Sequence, residues 1–146
     1  MNNKIVKFRA YSHKHKKIFE IGSIEFGDVE ECEGCNILVG DREAEWLNKG
    51  TFDLLQFSGI KDKHGKEIFE GFLVKDFLHN LIYEIHWVKN GLAFGKTIIN
   101  KNGTKGHTTY LSDLYNDVSA TPDVCEDVEI IGDVFSPEIS PKKALK

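Results

Sequence analysis

The chain has 146 residues, a formal net charge of −4 and 40% hydrophobic residues, which is enough for one domain with a core of its own. Its mild acidity, with a pI near 5.9, argues against the strongly basic surface of a typical nucleic-acid-binding domain. No apolar run approaches the ~20 residues of a membrane-spanning helix. Three cysteines and no signal peptide are typical of a reduced cytosolic protein. We therefore expect a single soluble domain, residues 1–146, in the cytoplasm.

Short β-branched and aromatic runs separated by Gly and Asn dominate the chain, whereas helical periodicity is scarce. Residues 4–11 and 18–21 predict two strands of an N-terminal hairpin, which occupies residues 1–21. Residues 22–50 are acidic and poor in alternation, and we interpret them as a variable insertion. Within that insertion, residues 44–47 predict one helical turn that Gly50 ends.

Residues 52–136 predict a β-rich core. The clearest alternation runs through 81–87, and Asn90-Gly91 predicts a hairpin turn into a partner strand at 92–99. Residues 110–115 predict a short strand or one helical turn, and 128–135 predict a closing strand with a bulge or sharp bend at Gly132. The polar tail, 137–146, is expected to be mobile. The fold class is therefore mainly β, or β-rich α+β: a small bent sheet or an SH3-like barrel with an N-terminal hairpin and short helical turns.

The most distinctive part of the chain is a polar turn between two strand-like runs, within residues 55–74. In the turn 62–65, Gly65 can adopt positive φ, so that Ile60 and Ile68 can meet across a hairpin. Glu70-Gly71 then predicts a tight connection into the next strand. The conformation of the backbone alone can account for Gly and turn residues. We therefore interpret the block as a folding signature without chemistry.

Three segments, 6–11, 56–71 and 129–135, resemble the opening strand, the central block and the closing strand of the YopX family, small proteins carried by phages and prophages. The resemblance spans nearly the whole chain. It implies a phage or prophage origin and a bacterial host, but it implies no activity. Phe72 stands where the family usually has an acidic residue after Glu-Gly, so no role of that acidic side chain is transferred to this chain.

Two cysteines, Cys32 and Cys35, have the spacing of half a zinc site. A structural zinc ion needs four ligands, and no second pair is present, so Cys125 and one of His79, His86 or His107 would have to complete the set. The neighbouring glutamates would raise the pKa of either thiol, which disfavours a redox role. We favour free thiols, with zinc as the alternative, and we expect no cofactor.

A basic loop, residues 13–17, is the other candidate interaction site; it consists of His13, Lys14, His15, Lys16 and Lys17. Such a run can bind phosphate or an acidic partner. It can equally be a solvated hairpin loop, and the acidic residues of 21–50 can neutralise it within the chain or across a subunit contact.

The sequence contains no nucleophile elbow, no phosphate-binding Gly-rich loop and no His-Glu-x-x-His motif, and no catalytic residue is predicted. The leading hypothesis is a non-enzymatic phage or prophage accessory protein that acts through protein contacts. Self-association into a homo-oligomer is expected, because short strands with open edges can pair with another copy. The alternative is a nucleic-acid-binding module that uses the barrel face and the basic loop.

Overall fold

A computed structural model describes residues 7–26, 33–88, 93–110 and 124–135. All regular elements in these residues are β-strands, so the prediction of a mainly β fold is confirmed. The strands, numbered in chain order, are β1 (Phe8–Ser12), β2 (Lys17–Glu25), β3 (Gly34–Gly40), β4 (Glu43–Asn48), β5 (Phe52–Lys61), β6 (Glu67–Phe69), β7 (Phe72–Asp76), β8 (Leu81–Val88), β9 (Ala93–Ile99), β10 (Lys105–Tyr110) and β11 (Val128–Asp133).

The strands form two antiparallel sheets, with the orders β4-β3-β2-β1-β5-β6 and β10-β9-β8-β7-β11. Neither sheet closes on itself among the described strands. Of the two predicted architectures, the open sheet is found and the SH3-like barrel is not, and the described residues contain no helical turn. Short loops let most consecutive strands pair as hairpins, without the long crossovers that parallel strands require.

The chain divides into two compact units: an N-terminal unit, Val6–Gln56, and a C-terminal unit, Phe57–Lys146 together with Met1–Ile5. The predicted N-terminal hairpin is confirmed, since β1 and β2 pair from Arg9↔Glu20 to Ser12↔Lys17. One face of this sheet forms the core of the N-terminal unit. Its buried members are Ala10, Cys35, Ile37 and Leu47. A single domain over the whole chain stays a prediction.

The described residues of 22–50 form β-strands instead of the predicted helical turn. β2 continues to Glu25, and β3 and β4 pair along their length, so 44–47 lie in a strand. The helical prediction was wrong because pairing with β3 decides the conformation of these residues. Leu47 lies opposite Cys35 and joins the core, and Glu45 lies opposite Ile37 on the same face. Residues 27–32 lie outside the described part of the chain.

In the C-terminal unit, the expected β8–β9 hairpin is confirmed by pairing that reaches Val88↔Ala93. Its Asn90-Gly91 turn lies outside the described residues. Strand β8 is buried on both faces: Ile82 joins the core with Leu73 and Ile99, while Tyr83 and Ile85 on the opposite face are also buried. The predicted half-buried strand is therefore a central strand of its sheet.

The closing strand β11 pairs with β7 and shifts register between Ile130 and Gly132. The predicted bulge at this glycine is thereby confirmed. Residues 111–115 and the tail 137–146 lie outside the described part of the chain. No described helix is long and apolar enough to cross a membrane.

Candidate functional site

The turn of the central block is built around Asp62, whose side chain is almost completely buried, with 1% exposure. Its Oδ1 accepts hydrogen bonds from the backbone N–H groups of His64 and Lys66, both at 2.9 Å. Its Oδ2 accepts a third bond, at 3.2 Å, from the backbone N–H of Ile130 in β11. Because a buried carboxylate needs such partners, the turn and the closing strand depend on one side chain.

Backbone hydrogen bonds extend this connection to the segment that precedes β11. The N–H of Lys63 donates to the carbonyl of Val128 at 2.8 Å, and the N–H of Cys125 donates to the carbonyl of Lys61 at 2.9 Å. The interpretation of the central block as a folding signature agrees with these contacts. The same contacts position Glu126 and Asp127, which lie in a short exposed turn beside the β7–β8 hairpin.

A cleft of about 360 Å³ lies between that turn and the β7–β8 hairpin, and we call it the hairpin cleft. Its floor consists of buried residues: Asp76, Tyr83, Lys96, Cys125 and Val128. Its rim consists of the more exposed lining residues: Leu78, His79, Leu81, Glu126 and Asp127. The size falls in the range of ordinary ligand pockets, and the cleft lies entirely within the C-terminal unit.

The floor of the hairpin cleft carries charges of both signs. Lys96 is buried, and its ammonium lies 4.6 Å from the centre of the Tyr83 ring in a cation–π contact. Burial raises the pKa of the Tyr83 hydroxyl, and the negative charge of Asp76 raises it further. The hydroxyl therefore stays protonated at neutral pH.

Asp76 organises the turn at the tip of the β7–β8 hairpin. Its Oδ1 accepts hydrogen bonds from the backbone N–H groups of Leu78 and His79, at 2.9 and 3.2 Å. Its Oδ2 lies 2.9 Å from Nδ1 of the His79 ring. The carboxylate thus closes a tight turn and orients the imidazole at the rim.

A cysteine, a histidine and an aspartate meet in the hairpin cleft, which is the residue set of a thiol nucleophile with its base. Their arrangement is incomplete in the described residues, since no hydrogen bond joins His79 to Cys125. Burial raises the pKa of the Cys125 thiol to about 11, against a smaller opposing effect of the Lys96 charge. A thiol nucleophile requires the opposite shift.

We expect Cys125 to be unreactive in the folded protein. With a thiol pKa of about 11, its alkylation by iodoacetamide at pH 8 should be roughly a hundredfold slower than that of a free cysteine. Peptide mapping by mass spectrometry follows the alkylation of each cysteine separately, so the other two cysteines need not be replaced. Reaction in urea supplies the control, since unfolding should restore the free rate; native alkylation as fast as in urea would contradict the burial argument.

Of the two cysteines predicted as half a zinc site, only Cys35 lies in the described part of the chain. Cys32 lies outside the described residues, and Cys35 is a fully buried member of the N-terminal core, where burial raises the pKa of its thiol. His79 and Cys125 belong to the hairpin cleft, and Nε2 of His86 instead lies 2.6 Å from Oγ1 of Thr97. No group of three metal-binding side chains occurs within the described residues.

The basic loop lies on the exposed β1–β2 turn, and acidic side chains of the same unit contact it. His13 Nε2 lies 3.0 Å from Oδ2 of Asp53, and Nζ of Lys14 lies 3.1 Å from Oε1 of Glu45. The His15 ring contacts the other oxygen of Glu45. Of the possibilities left open, neutralisation within the chain is observed. It comes from Glu45 of the acidic segment and also from Asp53 of β5, which lies outside that segment.

The pKa of Glu45 is lowered, chiefly by the hydrogen bond from Lys14 and then by that from His15. Such a shift favours the folded state above the carboxyl's unfolded pKa, and this contribution is lost as the pH falls through the lowered folded value. We expect Lys14→Ala to move the pKa of Glu45 upward, measured by NMR titration of its carboxyl carbon. Lys16→Ala is the matched control on the same loop; an unchanged Glu45 pKa in Lys14→Ala would contradict the pairing.

Sequence reasoning missed Asp76, Tyr83 and Lys96 as parts of a site. Lys96 carried the one available signal, because it is a single charge within the otherwise apolar and small residues of β9. His79 and Cys125 were considered as zinc ligands, and the structure does bring both to one cleft. The side-chain proximity depends on the pairing of β7, β8 and β9, which no local pattern specifies.

The protein is built from two antiparallel sheets. Its most distinctive sequence block, within residues 55–74, contributes backbone contacts that hold the fold together. The chain belongs to the YopX family, since the family model, described as YopX protein, matches residues 7–139. The predicted resemblance is thus confirmed. No curated protein matches the sequence.

A crystal structure of protein EF1440 from Enterococcus faecalis is similar, with a TM-score of 0.54 and 18% sequence identity. The similarity covers 91% of this chain and 95% of that one. At this identity the likeness concerns the fold alone.

Proposed function

We propose that this protein is a non-enzymatic accessory protein of phage or prophage origin, which acts in the bacterial cytoplasm by contacting other proteins, including further copies of itself. Membership of the YopX family supports the proposed origin. The observation that carries the proposed mode of action is the apolar tip of the β7–β8 hairpin, where Phe77 and Leu78 are 46% and 62% exposed.

Adjacent large apolar side chains at a hairpin tip are costly in water, since turns of this kind normally carry polar residues. Asp76 and the positive φ of Asn80 fix the turn, so Leu78 is held in its exposed position. The backbone N–H of Phe77 donates to the carbonyl of Asp127 at 2.9 Å. A rigid apolar projection is pre-organised for a contact, because little conformational entropy is lost on binding.

The chemistry of the hairpin cleft supports a binding role more than a catalytic one. The Cys125 thiol, with its raised pKa, is protonated at neutral pH, and the His79 ring is directed to Asp76 by a hydrogen bond. Catalysis by a thiol would require an ionised sulfur in contact with its base. The same features suit a surface that recognises a partner through shape and charge.

The alternative, nucleic-acid binding, has less support from the structure. The barrel face on which it partly depended is replaced by open sheets. Lys14 is paired with Glu45 and His13 with Asp53, and each pairing reduces the positive charge that the basic loop presents to a phosphate backbone. Protein contact is therefore the function we favour.

Light scattering coupled to size-exclusion chromatography tests the proposal. For a chain of 16.6 kDa, we expect the measured mass to rise with protein concentration above that of one chain. A mass of one chain at every concentration would contradict self-association. Fluorescence anisotropy with labelled DNA and RNA tests the alternative, and salt-sensitive binding that Lys14→Glu and Lys16→Glu abolish would replace our proposal with it.

A further inference from the structure

The exposed apolar tip of the β7–β8 hairpin lies between a basic and an acidic area, and we call the whole surface the hairpin face. Its basic half surrounds Phe77, with the ammonium groups of Lys63 and Lys75 at 4.3 and 5.0 Å from the ring centre. Nζ of Lys63 also lies 3.5 Å from Oε2 of Glu129, so part of its charge is balanced within the chain. Its acidic half is the turn of Glu126 and Asp127. Leu78 is the exposed apolar side chain that completes the surface.

The two halves are neighbours because backbone hydrogen bonds join the segments that carry them. Phe77 donates to the carbonyl of Asp127, and Lys63 donates to the carbonyl of Val128. Within the described residues, neither Glu126 nor Asp127 makes a side-chain ion pair. The acidic half therefore offers two carboxylates to a partner.

We propose that the hairpin face is the surface through which two copies of this chain associate, in a two-fold arrangement that places the basic half of each copy against the acidic half of the other. This inference rests on the proposed function and specifies its interface. It replaces backbone pairing at sheet edges with side-chain contact as the means of self-association.

Charge complementarity favours a second copy as the partner. In a two-fold interface the same patch is used twice, so the patch must be complementary to itself. A face with adjacent positive and negative halves meets that requirement, since a two-fold rotation brings opposite signs together. An apolar centre formed by Phe77 and Leu78 is then covered twice, and its burial supplies the non-directional part of the affinity.

Two of the outer strands in the described sheets, β4 and β10, are less suited to the same task. Strand β4 carries Glu43 and Glu45, and β10 carries Lys105 and shifts register between Lys105 and Thr108. Charged side chains and bulges on outer strands are the usual protection against edge-to-edge pairing. The hairpin face combines exposure, apolar character and opposite charges without such protection.

A charge-exchange experiment tests the interface. Lys63→Glu alone and Glu126→Lys alone each place like charges opposite one another at both symmetric contacts. We expect each substitution to raise the dimer dissociation constant about tenfold, measured by sedimentation.

An equimolar mixture of the two variants should recover nearly the original affinity, as a heterodimer. At one of its two contacts, the glutamate introduced at position 63 of one chain meets the lysine introduced at position 126 of the other. At the second contact, the unaltered Lys63 and Glu126 meet. Opposite signs are therefore restored at both contacts.

Recovery in the mixture also shows that both variants are folded, since a misfolded chain would not be rescued. Leu78→Ser should weaken the dimer as well, whereas Leu38→Ser, a matched exposed leucine of the N-terminal unit, should leave it unchanged. Added salt should weaken association of the natural chain by screening the paired charges.

The outcomes separate this inference from the proposed function. A dimer that tolerates Lys63→Glu, Glu126→Lys and Leu78→Ser would overturn the assignment of the hairpin face and leave self-association standing. Two weakened single variants that do not recover on mixing would also overturn the two-fold arrangement. A natural chain that remains monomeric at every concentration would overturn both proposals.

Discussion

Replacing Asp62 by alanine should destabilise the protein by about 3 kcal/mol or more, because three backbone N–H groups lose their acceptor in a buried site. Those groups belong to His64, Lys66 and Ile130. The loss is large beside the roughly 5–15 kcal/mol of total stability that is usual for a domain. Chemical denaturation followed by circular dichroism measures it as a lower midpoint with a similar slope.

Two further substitutions make the Asp62 result specific. Asp62→Asn keeps the shape and an acceptor for His64 and Lys66, but it places an amide NH₂ near the N–H of Ile130, so an intermediate loss is expected. Asp53→Ala removes a half-exposed carboxylate that pairs with His13, and its effect should stay within about 1 kcal/mol. Equal effects of Asp62→Ala and Asp53→Ala would show that burial of the Asp62 carboxylate contributes little.

The second large effect is expected at Gly71, where alanine should cost about 3 kcal/mol through backbone strain and overpacking together. Gly71 has a φ of 85°, and a Cβ there would lie 2.7 Å from Cε2 of Phe135. Its N–H donates to the carbonyl of Ile85 at 2.7 Å, while its own carbonyl accepts from Val134 at 2.9 Å. Both bonds resist a shift of the backbone to a conformation that alanine prefers.

Gly65 offers the matched control for Gly71. It has a similar φ of 79°, but nothing lies within 4 Å of a Cβ built on it, so Gly65→Ala should cost only the backbone strain of about 1–2 kcal/mol. The additional loss in Gly71→Ala should shrink in a Phe135→Ala background, because the clash is then absent. Thermal unfolding measures each variant; equal losses for the two glycines would contradict a packing role of Phe135.

The glycines of the central block show how far local reasoning extends. A positive φ at Gly65 follows from turn chemistry and was predicted from the residues of a single turn. Gly71 was predicted to occupy a tight connection, but its contact with Phe135 joins residues that are far apart in the chain. Sequence patterns report backbone preference, and they contain no information on which distant side chain fills the adjacent space.

The acidic segment 22–50 illustrates a failure with a physical cause. It was interpreted as a variable acidic insertion poor in alternation, yet β3 and β4 pair and bury Cys35, Ile37 and Leu47 on one face, although Glu45 lies opposite Ile37 on that same face. Gly34 supports this packing, since a Cβ there would lie 2.2 Å from the carbonyl oxygen of Leu47. Each of the strands β3 and β4 forms because the other pairs with it, and such cross-strand pairing overrides weak local propensity.

Sequence alone determined the family, the mainly β class, the N-terminal hairpin, the β8–β9 hairpin and the bulge at Gly132, because alternation and turn residues act over a few neighbouring positions. Tertiary structure alone decided that Asp62 is a buried anchor, that Glu45 neutralises the basic loop, and that Lys96 and Cys125 share a cleft. These relations join side chains on different strands. Burial and charge pairing arise only when strand order and register bring such side chains together.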